Sequence, residues 1–184
     1  MSAGNRTILL LAFVVALLVF RQIAVSFEIY HFQPYTALFF CLAALRKTRW
    51  LAIPFAGYLL SSIYTAGSVG AWMLAPLVGF ALLVAWGRCF KPKASAFSLL
   101  AGSLGGSAIF YLFTSSISWL TIPAYTKSFA GFIQALTVGL PQYAPSWTFF
   151  RNDAVSTLLF TAMIIVLQRS PKEKKAEAVI AAQA

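Results

Sequence analysis

The chain has 184 residues, 60% of them hydrophobic and only 10% charged, and its mean hydropathy of +0.82 excludes a soluble domain, which carries about a quarter charged residues. A formal net charge of +10 invites a nucleic-acid partner, but the basic residues stand at alternate boundaries between apolar segments, as in the cytoplasmic loops of membrane proteins. No nucleic acid is expected, and the expected architecture is one all-α integral membrane domain over residues 1–170 with six transmembrane helices, followed by a polar cytoplasmic tail over 171–184.

The first apolar segment runs from Thr7 to about Val25 and meets Arg21 and Gln22 in its last turns. Ala24 and Ser26 loosely suit a signal-peptide cleavage site, but an arginine between the apolar run and that site disfavours cleavage. Retained, the segment spans, and Arg21 snorkels to the headgroups as an interfacial anchor.

The second segment is shorter than a span requires. Its uninterrupted run, PYTALFFCLAAL from Pro34 to Leu45, reaches only about 18 Å at 1.5 Å per residue, against about 30 Å of hydrocarbon. The missing depth must come from Phe27 to Gln33, where Glu28 and His31 lie among aromatics ahead of a proline suited to a first helical turn. Non-helical backbone at that depth is tolerated where it is buried in protein or lines a cavity, so this stretch is a candidate pocket wall.

Trp50 to about Tyr64 and Ala71 to Trp86 form the third and fourth segments, with Pro54 and Pro76 as bends and an uncharged hairpin between them. The fifth, Ser95 to Leu120, carries Ser98, Gly102 and Gly106 at intervals of four, a small-residue stripe that admits a neighbouring helix. From Thr121 to Asn152 runs the longest connection. Phe129, Phe132, Ile133 and Leu136 keep helical spacing there, between Ser128 and Gly139, which predicts a short interfacial helix able to serve as a lid. The sixth segment is Asp153 to Leu167. Eleven of the 14 basic residues fall at the boundaries reached by Arg6, Arg46, Arg88 and Arg169, which predicts cytoplasmic N- and C-termini.

Cys41 and Cys89 fall on the reducing side and have no zinc-type spacing with the single histidine, so no disulfide, metal or cofactor is expected. No G-x-S-x-G nucleophile motif is present, and an enzyme is not expected. Outside the cytoplasm the ionisable groups are Arg21, Glu28, His31, Lys127, Arg151 and Asp153, with both carboxylates expected to be neutralised by nearby cations. Aromatics mixed with Gln33, Ser115, Gln134 and Asn152 supply the apolar walls and few polar groups of a small-molecule pocket.

The ordered runs HFQPYTALFFCLAAL, SAIFYLFTSSISWL and SWTFFRNDAVSTLLFTA, with Tyr125-Thr126 and Gly131-Phe132 between them, resemble a family of small bacterial membrane proteins of unknown function. That family is similar in layout to the substrate-binding (S) components of energy-coupling factor transporters. The pattern has Asn-Phe-Thr-Pro where this chain has His31, Phe32, Gln33 and Pro34, and acids near Ser62 and Thr157, so this site is less charged. The resemblance implies an S-component-like bundle in the bacterial inner (cytoplasmic) membrane, contacting lipid, a small-molecule ligand, a transmembrane coupling subunit through Ala12 and Ala16, and ATPase subunits. The chain itself has no phosphate-binding loop of the G-x-x-x-x-G-K type. The expected function is capture of a vitamin, cofactor precursor or similar nutrient at the outer side, with a non-transport scaffold subunit of a membrane assembly as the alternative and an intramembrane enzyme behind it. Expected ligand contacts are His31, Gln33, Tyr35, Trp119, Tyr125, Arg151 and Asn152.

Overall fold

A computed structural model describes Ala16 and residues 19–24, 26–27 and 29–168. Ala12, Glu28 and the 171–184 tail lie outside the described residues. The described residues are all helical or connecting: α1 over residues 19–24, then α2 (Tyr35–Ala44), α3 (Ala52–Ala66), α4 (Leu74–Arg88), α5 (Ala96–Thr121), α6 (Phe129–Leu136) and α7 (Ser146–Gln168). Single 3-10 turns, Thr48–Trp50 and Ala71–Met73, lead into α3 and α4. Three helical stretches, Ala71–Arg88, Ala96–Thr121 and Ser146–Val166, are long and apolar enough to cross a membrane.

The bundle is organised around α2. Its ten residues are apolar on every face, the pattern of a helix surrounded by others, and all but Leu42 are buried. It packs against α3, α4, α5 and α7. Around it Tyr35, Phe39, Tyr58, Phe80 and Phe110 form one aromatic core, with the Phe80 ring stacked between Phe39 at 4.5 Å and Phe110 at 5.1 Å.

Close helix approach depends on positions without side chains. A Cβ on Gly87 would lie 2.6 Å from the Phe40 carbonyl oxygen, so α2 and α4 touch through backbone there. Gly102, in the predicted small-residue stripe, leaves room for the Phe40 and Phe90 rings, which a Cβ would meet at 2.7 and 2.4 Å.

Two ends of the bundle are distinct. At one, Arg46 Nη2 donates to the carbonyls of Arg88 (2.9 Å) and Phe90 (3.1 Å), tying the basic α2–α3 and α4–α5 loops together. At the other lie the 29–34 turn, the 67–70 hairpin and the long connection that carries α6.

The last helix departs from expectation. α7 begins at Ser146, seven residues before the expected Asp153, so Trp147, Phe149, Phe150, Arg151 and Asn152 are helical. Polar residues lower hydropathy without breaking a helix, and Arg151 turns outward over the Trp147 ring at 5.1 Å. The predicted short helix is α6, started by Ser128, whose hydroxyl accepts from the Gly131 N–H at 3.2 Å.

Candidate functional site

The turn between α1 and α2 is held to α7 at three points. Asn152 Nδ2 donates to the Tyr30 carbonyl (2.9 Å), Ser156 Oγ to the Gln33 carbonyl (3.1 Å), and the His31 ring lies 4.8 Å from that of Phe149. His31 has φ +64°, a left-handed conformation rare for a residue with a side chain. These bonds give the irregular backbone the protein partners that a non-helical stretch in an apolar protein needs, and they shape one wall of a cavity.

That cavity has a volume of ≈ 540 Å³ and lies at the bundle end opposite the Arg46 loop. Tyr58, Phe110, Tyr111, Tyr125 and Phe149 supply apolar wall, and Tyr30, Trp72 and Tyr143 stand at its exposed rim. Arg21, His31, Gln33, Ser115, Ser118 and Asp153 bring polar atoms to the same space. The size falls within the range of about 300–1,000 Å³ usual for small-molecule sites, and so does the mixture of apolar wall and few polar groups.

Two polar networks flank the start of α2. On one side Arg21 Nη1 donates to Ser61 Oγ (2.6 Å) and Ser62 Oγ (3.2 Å), and Ser61 Oγ is 3.1 Å from the Tyr35 hydroxyl. On the other, Asp153 is buried on α7, its Oδ1 accepting from Thr36 Oγ1 (2.8 Å) and its Oδ2 from Ser107 Oγ (2.5 Å). Hydroxyls, not a cation, are thus the hydrogen-bond partners of this carboxylate among the described residues, a correction to the expected ion pair. One turn deeper on α7, Thr157 is fully buried and its hydroxyl has no hydrogen-bond partner among the described residues.

Of the seven residues expected at the site, His31, Gln33 and Tyr125 line the cavity and Tyr35, Trp119, Arg151 and Asn152 do not. Tyr35 is in the core beneath it, completing the Ser61 network. Trp119 donates through Nε1 to the Thr126 carbonyl (3.0 Å) and packs on Phe132 outside the cavity. Arg151 donates to Asn152 Oδ1 (3.1 Å), and Asn152 acts on the turn that carries His31. Lys127 Nζ bonds the carbonyls of Trp119 and Ile122, closing the C-terminal end of α5. Ala16, expected at a partner face, is exposed.

Two residues of the cavity take roles that hydropathy and sequence spacing do not reveal. Arg21 stands as an anchor in a hydropathy reading, and only its contact with Ser61, forty residues away, turns it inward. Asp153 has Arg151 two residues before it, but two steps on a helix point to different faces. Its true partners come from α2 and α5.

Among the described residues, the helices and the cavity define an all-helical, apolar protein with three helices able to cross a membrane and a cavity open at one end of the bundle. The chain belongs to the Family of unknown function (DUF6580), whose model matches residues 1–178. No curated protein and no solved structure matches it.

Proposed function

We propose that this protein captures a small nutrient or cofactor precursor from the outer side of the bacterial inner membrane, as an S-component-like subunit of six spans with both termini inside. The observation that carries this reading is the ≈ 540 Å³ cavity, in which aromatic walls enclose a small set of convergent polar groups. A ligand's apolar body gains by leaving water against such walls, and its polar groups meet partners already oriented by the fold. The cavity lies at the end away from the basic loops, and the charge asymmetry of membrane proteins supports an outward position for that end. α6 and the loop behind it contribute Ala135, Leu140 and Tyr143 to the lining and fit the role of a lid. Movement across the membrane then calls for coupling and ATPase subunits or an ion gradient.

Mass spectrometry of the protein purified in mild detergent tests the reading. A retained small molecule is expected, lost on Ser118→Trp, which puts an indole into the cavity, and kept on Arg151→Ala, which lies outside it. A preparation that retains no small molecule and is stabilised by no member of a metabolite panel would sink capture, and co-purifying membrane subunits in that preparation favour the scaffold alternative.

A further inference from the structure

Resting on the capture reading, we infer that the ligand is a small zwitterion: an aminocarboxylate with an apolar or aromatic body, its carboxylate on Arg21 and its ammonium on Asp153. Both residues line the ≈ 540 Å³ cavity.

They are also tethered separately. Tyr35 and Thr36 are successive residues in the first turn of α2, and neighbours on a helix point about 100° apart. Tyr35 reaches Arg21 through Ser61, while Thr36 reaches Asp153 directly. The first turn of buried α2 therefore carries a separate tether to each group, through Tyr35 and Ser61 to the guanidinium and through Thr36 to the carboxylate.

Each group keeps the valences a ligand needs. Nη1 of Arg21 is committed to two serine hydroxyls. Among the described residues Nε and Nη2 have no hydrogen-bond partner, and they make up the remaining fork, the geometry that grips a carboxylate through two parallel hydrogen bonds. Each Asp153 oxygen accepts one hydroxyl, and a carboxylate oxygen has two lone pairs, so both can also accept from an ammonium.

The electrostatics select the same class. A charge in an apolar enclosure is costly unless it is paired. A purely anionic ligand would pair Arg21 and place a second negative charge beside Asp153. A purely cationic one would do the reverse. A zwitterion pairs both and adds no net charge to the site. The walls of Tyr58, Phe110 and Phe149 then take its apolar body.

The test is thermal stabilisation of the full chain in nanodiscs by the protein amino acids. Tryptophan and phenylalanine are each set beside the decarboxylated amine (tryptamine, phenethylamine) and the deaminated acid (indole-3-propionate, 3-phenylpropionate). At least one amino acid is expected to bind about tenfold or more tightly than either of its truncated forms, since each loses a hydrogen-bonded charge contact. Asp153→Asn should reduce the amino acid to the affinity of its deaminated acid, and Arg21→Gln to that of its amine. If Asp153→Asn does not fold, the three-way comparison on the unaltered protein still decides. Equal binding of an amino acid and one of its truncated forms overturns the inference. Stabilisation by a retained metabolite without both charges, with no response to any amino acid, overturns it and leaves capture standing. No retained molecule and no stabilisation by any compound overturns both.

Discussion

Thr36 and Thr157 are both fully buried, on α2 and α7, and differ in what their hydroxyls meet. Thr36 donates to Asp153 at 2.8 Å, whereas Thr157 Oγ1 has no partner among the described residues. A buried polar group left unpaired costs about 1–3 kcal/mol, while a valine of the same shape carries no such cost. Thr157→Val is therefore expected to keep or raise the thermal midpoint followed by tryptophan fluorescence. Thr36→Val removes a donor from a buried carboxylate and should lower stability by about 1–3 kcal/mol. A clear loss of stability in Thr157→Val would mean that its hydroxyl has a partner in the working protein. Asn152 yields a second residue-level expectation. Without its bond to the Tyr30 carbonyl, the 29–33 turn loses one of its ties to α7. Asn152→Ala should speed amide exchange in that turn, and Arg151→Ala, which leaves the Tyr30 bond in place, should do so far less. Equal exchange in the two variants would remove Asn152 from its positioning role.

At the scale of elements, α2 and α4 meet through backbone at Gly87. An alanine Cβ there would sit 2.6 Å from a backbone oxygen and 2.9 Å from Ala43 Cβ, neither of which can rotate away. Gly87→Ala should push the helices apart and cost about 1–3 kcal/mol, the usual cost of overpacking. Gly105 is a control on the same scale, since its Cβ would meet only the Trp86 ring at 3.5 Å, an ordinary contact. Gly105→Ala should be neutral or stabilising because alanine is the better helix former. Similar melting points for the two variants would contradict the close approach. The same elements show what a sequence reading reaches. α6 was legible because Phe129, Phe132 and Ile133 repeat at helical spacing after a capping serine. The start of α7 was not, because Arg151 and Asn152 interrupt the apolar run that marked the segment. At the site, His31 and Gln33 stood out as polar residues leading into a helix too short to span. Arg21 and Asp153 did not, since their partners Ser61, Thr36 and Ser107 lie on other helices, and periodicity carries no information about which helices meet.

For the whole molecule, the capture reading depends on which end of the bundle faces outward, and the chain's own cysteines supply a test. Cys89 is exposed and lies between Arg88 and Phe90, whose carbonyls are bonded by Arg46 at the basic end. Cys41 is buried within α2. Ser68 is exposed in the hairpin after α3, at the cavity end, close to the rim residue Trp72. Loops rich in lysine and arginine are retained in the cytoplasm, so Cys89 should be protected in intact cells from a membrane-impermeant maleimide and should react once the cells are opened. Ser68→Cys in a Cys89→Ser background should react in both conditions. Cys41 should react in neither, because burial keeps the thiol from the reagent, and the double variant thus reports Ser68→Cys alone. Labelling of Cys89 in intact cells, with Ser68→Cys protected, would turn the cavity toward the cytoplasm. The same residues would then serve a molecule made inside the cell, and uptake from outside would lose its structural basis.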